Sequence, residues 1–233
     1  MQNGGNFRGP SNGFQNRAPS NRGGFQQFGR DQQFPMKRDQ SKNGETLRPV
    51  NYDNVAPFRK DFFAPADTVT LRSVEDVKAL SSKYEISIVG RDSQKYTPLS
   101  LFTEAGLPDY IMSEIQRQGF VQPTGIQAGS FPIVLSGRNL VGIAKTGSGK
   151  TLAYIIPALI HIKNQQPVKS GEGPIALVLA PTRELAQQIQ IVVNDFGMKC
   201  QISHTCIFGG APKHSQMRDL AKGVDIVIAT PGR

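Results

Sequence analysis

From Ser73 onward the apolar positions follow two rhythms, one of helical period and one of alternation, and the chain switches between them repeatedly. Val74, Val77, Leu80 and Tyr84 share one helical face, with Ser73 placed to cap the first turn. "EISIVG" (85–90) then alternates like a short strand. Past Pro98, "PDYIMSEIQRQG" predicts a helix opened by Pro108 and closed by Gly119. "TGIQAGSFPIVLSG" predicts a second, strained or shortened by Pro132. "NLVGIA" (139–144), "IALVLA" (175–180), "QISHTCIF" (201–208) and "DIVIA" (225–229) predict four strands, with 175–180 read as a buried one. Between them, "KTLAYIIPALIHI", "TRELAQQIQIVVNDFG" and "KHSQMRDLAKG" predict helices, the middle one turning Leu185, Ile189, Val192 and Phe196 inward. Strands alternating with helices predict an α/β domain whose parallel sheet is covered on both faces. Right-handed crossovers would place every strand's carboxyl end on one edge.

Composition divides the chain further. Residues 1–44 hold five Phe, no Leu, Ile or Val, and seven Lys/Arg against two Asp. With so little aliphatic surface the segment is expected to be disordered. Its "NFRGP", "NRGGF" and "QQFGR" vocabulary suits nucleic-acid contact through Arg charge and stacking, or equally a flexible spacer. Residues 45–96 balance eight basic and eight acidic side chains and read as an extension packed on the domain. Residues 97–233 are long enough for one domain with its own core. The net charge of +9 suggests an anionic partner such as nucleic acid, with solubility as the plainer alternative. Cys200 and Cys206, even with His204 nearby, fit reduced core thiols better than a disulfide or zinc site. The apolar runs are too short to span a bilayer and the N-terminus has no signal-like apolar core, so a soluble intracellular protein is expected.

"AKTGSGKT" (144–151) carries the sharpest chemistry. A glycine loop between a strand and a helix presents successive N–H groups at the positive end of the helix dipole. Gly147 and Gly149 allow close approach to phosphate oxygens, Lys150 reaches the outer phosphates, and Thr151 suits Mg²⁺. Ala144 stands where the strict pattern has Gly. The site implied is for a triphosphate with magnesium.

"GFVQPTGIQ" (119–127), "AKTGSGKT", "PTRELA" (181–186), the Gly pair 209–210 and "TPGR" (230–233) occur in the order found in DEAD-box RNA helicases, with Phe102 seventeen residues before Gly119. The chain resembles that family over residues 102–233. Its Arg/Gly-rich tail and "GGAP" segment look like the nuclear subfamily, which implies a location in the nucleus and also in the cytoplasm. The resemblance implies a RecA-like P-loop NTPase domain, ATP and Mg²⁺ as ligands, and RNA as partner. It implies adenine recognition by Gln127 with Phe102 on the base side, and a loop contributed by Ala144, Lys145, Thr146, Gly147, Ser148, Gly149, Lys150 and Thr151. Lys150 and Thr151 take the catalytic part and Thr151 the metal. Pro181, Thr182, Arg183, Gly209, Gly210, Thr230, Pro231, Gly232 and Arg233 are implied to grip RNA backbone. Plainer readings stand beside these: Thr124 and Gln127 also spell a capping box, and "PTRELA" also ends a strand and caps a helix. Lys145 stands where the family commonly has Gln, and Gly125 replaces its usual Pro.

Phosphoryl transfer needs a second Mg²⁺ anchor and a group that orients water. In this family an Asp-Glu-Ala-Asp motif supplies them, and neither Asp225, at the wrong end of its strand, nor Glu184, in a helix, replaces it. The chain is therefore read as the N-terminal part of a longer helicase, without the acid motif or the second domain and by itself inactive in hydrolysis. A non-catalytic RNA-binding module acting through the tail, and a P-loop NTPase working on DNA or protein, are the alternatives.

Overall fold

A computed structural model describes residues 57–233, so the readings made for 1–44 and for the start of the extension lie outside the described residues. Helices α1 (Asp67–Thr70), α2 (Val74–Lys83), α3 (Asp109–Arg117) and α4 (Gly125–Leu135) come first, with 3₁₀ turns at Ser93–Lys95 and Phe102–Ala105. There follow α5 (Lys150–Lys163), β1 (Ala176–Leu179), α6 (Arg183–Cys200), β2 (His204–Ile207), α7 (Lys213–Ala221) and β3 (Ile226–Ala229). The strands form a parallel sheet in the order β1-β3-β2, with Leu177 level with Val227 and Val227 level with Thr205. The chain steps outward from β1 to β2 and back to β3, so right-handed crossovers carry α6 and α7 over opposite faces. This is the parallel α/β arrangement expected, built from three strands among the described residues.

One sheet face, with Ile226, Ile228, Val178 and Cys206, joins the core with Ile155, Ile156 and Leu159 of α5 and Ala186, Ile189, Val193 and Phe196 of α6. The other face is closed only in part. Val227 and Thr205 are buried there, but Leu177 and Leu179 are 59% and 63% exposed. The reading of 175–180 as a buried strand is therefore corrected: β1 is an edge strand, covered on one side. On α6, Leu185 points outward and Val193 lies deeper than Val192, a rotation of the buried face by about one residue.

Two expected strands are absent. Residues 139–144 join no ladder, and Val141 and Ile143 are 88% and 94% exposed. An apolar run supplies strand propensity, but a strand also needs a neighbour's N–H and C=O groups. "EISIVG" fails for a local reason. Glu85 adopts φ +53°, and the N–H groups of Glu85 and Ile86 bond back to the carbonyls of Ser82 and Ser81. That is a Schellman ending of α2, built on a non-glycine residue. The N-terminal end of α2 follows expectation, with Ser73 Oγ accepting from Asp76 N at 3.1 Å, although Val74 is exposed.

The extension does pack on the domain. Phe62 N donates to Leu135 O at 2.7 Å, and the rings of Phe58 and Phe62 meet His161 edge-on. Cys200 is buried, its thiol donating to Phe196 O, and burial pushes its pKa up to about 11. Cys206, half-buried, is also raised by burial. Only thiolate reacts with alkylating agents, so iodoacetamide at pH 7.5 should leave Cys200 unmodified in folded chain and label it in urea. Mass spectrometry of the digests checks this.

Candidate nucleotide and RNA interface

The glycine loop runs from residue 144 to the first turn of α5 and lies largely at the surface. Gly147 and Gly149 hold φ of +74° and +87°, which an L side chain resists, and Gly147 has open space where a Cβ would be. The first N–H groups of α5 follow at Lys150 and Thr151, where a helix has donors without internal partners. Lys150 Nζ folds back over the loop, 2.6 Å from both Ala144 O and Lys145 O. Ser148 Oγ is buried and has no hydrogen-bond partner. An orphaned hydroxyl, a cationic amine resting on carbonyls and free helix-start amides together fit an anionic phosphate group. Lys145 and Thr146 are exposed at the rim of the loop.

Gln127 lies on α4 directly behind this loop and is 3% exposed. Its Oε1 accepts from Thr124 N at 3.0 Å, and its Nε2 donates to Gly149 O at 3.1 Å. It thus closes the helix start, as the capping reading has it, and also ties that helix to the phosphate loop. A carboxamide has two donors and two lone pairs, so one of each is left for a base. Phe102 stands lower: it is 3% exposed and tilted against Phe131 at 6.3 Å. Phe120, four residues before Thr124 in the chain, is 39% exposed.

The second cluster gathers at the carboxyl ends of the strands, the edge that open α/β sheets use for ligands. Thr182 caps α6, its Oγ1 accepting from Leu185 N at 3.2 Å. Pro181, Thr182 and Arg183 are exposed, as are Gly210, Pro231, Gly232 and Arg233, while Gly209 and Thr230 are half-covered. The Arg183 guanidinium rests on Gly210, where a Cβ would come within 2.6 Å of Nη1. Arg233 donates to Ala211 O at 2.7 Å and to Gln216 Oε1 at 3.2 Å. Gln216 was not singled out from the sequence. It is 7% exposed on α7, and its Nε2 also donates to Phe208 O, so it joins the turn after β2 to the turn after β3. No sequence signal marks it, because an amide among the polar residues of α7 reveals its burial only through its neighbours. Asp225 sits at the opposite end of β3, where its carboxylate accepts from Ser203 N and Oγ at 2.8 and 2.7 Å.

A parallel α/β sheet with a glycine phosphate loop at a helix start, and an exposed Arg/Thr/Gly cluster on the strands' carboxyl edge, defines a P-loop nucleotide-binding domain. Residues 124–233 match the DEAD/DEAH box helicase model. Those residues form a domain of that family.

It is 57% identical over 187 residues to ATP-dependent RNA helicase p62 of Drosophila melanogaster, covering 80% of this chain and 26% of that protein. It is 43% identical over 217 residues to DEAD-box ATP-dependent RNA helicase 20 of Arabidopsis thaliana, covering 93% and 43% respectively. Among solved structures, the RNA helicase Prp28 of Chaetomium thermophilum bound to ADP superposes with a TM-score of 0.64 at 37% identity, over 69% of this chain and 39% of that one. The chain thus spans less than half the length of these relatives. No helix among the described residues is long and apolar enough to cross a membrane.

Proposed function

We propose that this chain is the ATP- and RNA-gripping part of an ATP-dependent RNA helicase, which in the whole protein couples hydrolysis to RNA unwinding or remodelling. The observation that carries the reading is the loop from Ala144 to Thr151, with its unpartnered Ser148 hydroxyl, laid against Gln127. Gln127 would take adenine with its remaining donor and acceptor, Phe120 would offer its open face to the base, and Phe102 would support the site from beneath. Thr151 would hold Mg²⁺, which when bound neutralises phosphate charge during transfer. Lys145 adds a cation at the loop's rim, and the names of the similar proteins support both ATP and RNA. A nuclear location, shared with the cytoplasm, belongs to the same proposal.

RNA phosphates would be held by Arg183 and Arg233, by the α6 start at Pro181 and Thr182, and by the turns holding Gly209, Gly210, Thr230, Pro231 and Gly232. Contacts of this kind position a strand without reading its sequence. Arg183→Ala should weaken binding of single-stranded RNA uniformly across sequences and flatten the salt slope by about 0.7. Fluorescence anisotropy at several salt concentrations measures both. Deleting residues 1–44 in the same assay separates the competing reading, in which the tail alone binds: affinity and slope that vanish with the tail would favour that module.

For the base, Phe120→Ala should weaken ADP and leave inorganic tripolyphosphate unchanged, because only the former carries a ring to stack. Base–aromatic stacking is worth about 1–3 kcal/mol, so a loss of about fivefold or more is expected by calorimetry.

A further inference from the structure

Helix α4 carries Gly125 and Gly129, four residues apart and therefore on one face. That face receives the end of α2. A Cβ at Gly125 would lie 2.7 Å from the Tyr84 carbonyl oxygen, and one at Gly129 would lie 3.2 Å from Ile86 Cγ2. The Schellman turn at Glu85 aims both groups at the helix, since Ile86 N is held to Ser81 O at 2.8 Å. Gln127 lies two residues from each glycine, about 200° round the helix at 3.6 residues per turn. It faces the phosphate loop, where a Cβ on Gly149 would meet Gln127 Nε2 at 2.5 Å and Thr124 Oγ1 at 3.1 Å. The first turns of α4 are therefore in close contact on both sides: the Tyr84 backbone bars a methyl group at Gly125, while Ile86 Cγ2 would have to give by a few tenths of an ångström for one at Gly129 and the Gln127 amide would have to move for one at Gly149.

We infer that the Tyr84–Ile86 segment, seated in the Gly125/Gly129 notch, is a positioning element that sets the distance between Gln127 and the phosphate loop, and so tunes adenine recognition. A push from the notch side is passed to Gln127, whose amide is tied to the phosphate loop at Gly149 O, 3.1 Å away. A larger residue at Gly125 would displace the Tyr84 carbonyl. This rests on the proposed nucleotide reading and deepens it. Tyr84 and Ile86 touch no ligand; they act through α4.

The test titrates ADP and inorganic tripolyphosphate into the 233-residue chain and three variants: Gly129→Ala, Ile86→Ala and the two combined. Gly129→Ala should bind ADP about tenfold more weakly, equivalent to about 1.4 kcal/mol, with tripolyphosphate affinity unchanged. The combined variant should recover ADP affinity to within about twofold, because Ile86→Ala removes the side chain that the new methyl meets. If Gly129→Ala does not fold, Ile86→Ala alone, which adds no overlap, should still weaken ADP selectively. Parent-like ADP affinity in the folded single variants, equal loss of both ligands, or no recovery in the combined variant would overturn the inference. Failure of Lys150→Ala to weaken either ligand bears instead on the phosphate site, so the two ideas fail separately.

Discussion

Lys150→Ala is expected to weaken ADP and tripolyphosphate alike, by about 10- to 100-fold, because a hydrogen bond to a charged group is worth about 1.5–3 kcal/mol. The ammonium now spans two loop carbonyls, at 2.6 Å each. Those carbonyls do not need all of its donors, since an ammonium has three. Removing the amine deletes a cation at the loop's base and unfastens the loop from the helix start. Lys150→Arg, which keeps the charge but not the compact shape, should fall between parent and alanine variant. Calorimetric titration measures both ligands, and circular dichroism shows whether α5 is intact. A variant that loses ADP but keeps tripolyphosphate would mean that this lysine serves the base and not the phosphates.

Glu104→Ala should cost about 3–5 kcal/mol of folding stability, the range for breaking a buried ion pair by removing one partner. The carboxylate and the Arg72 guanidinium that meets it at 2.7 Å are 7% and 11% exposed. The same carboxylate accepts from Ser100 N at 2.6 Å, from Ser100 Oγ at 2.8 Å and from Leu101 N at 3.3 Å. Without it, Arg72 keeps only Pro98 O and the Ser100 hydroxyl, at 2.5 and 3.3 Å. Urea unfolding of parent and variant gives the difference, and Glu104→Gln should cost less. Burial alone would raise the Glu104 pKa, but the Ser100 and Leu101 hydrogen bonds and the Arg72 charge outweigh it and hold the pKa below its ordinary value. The pair's contribution is therefore present above the usual carboxylate range and is lost as pH falls through the lowered folded pKa. Parent and alanine variant should converge in stability in strong acid and diverge toward neutrality.

The helices were legible because caps and periodicity are local. Ser73, Pro108 and Thr182 mark starts that the structure keeps. The strands were less so. Ala176–Leu179 was found, but nothing inside four apolar residues says that Leu177 and Leu179 face outward. At 139–144 the residues favour a strand, while pairing depends on partners distant in sequence. "EISIVG" misled because the alternation sits on a helix ending, where Glu85 takes a left-handed turn. In the site, the glycine loop could be read from spacing alone. The depth of Phe102 against the openness of Phe120, the Gln216 bridge and the glycine notch on α4 could not, since each depends on what a tertiary neighbour leaves uncovered.

If this loop grips ATP in the service of RNA, RNA should govern turnover. Phosphate release from ATP by the whole protein, followed with and without single-stranded RNA, tests it most directly. The expected result is turnover that rises with RNA, is lost in Lys150→Ala and is not matched by DNA. Turnover indifferent to RNA, or undiminished without the lysine, would contradict it.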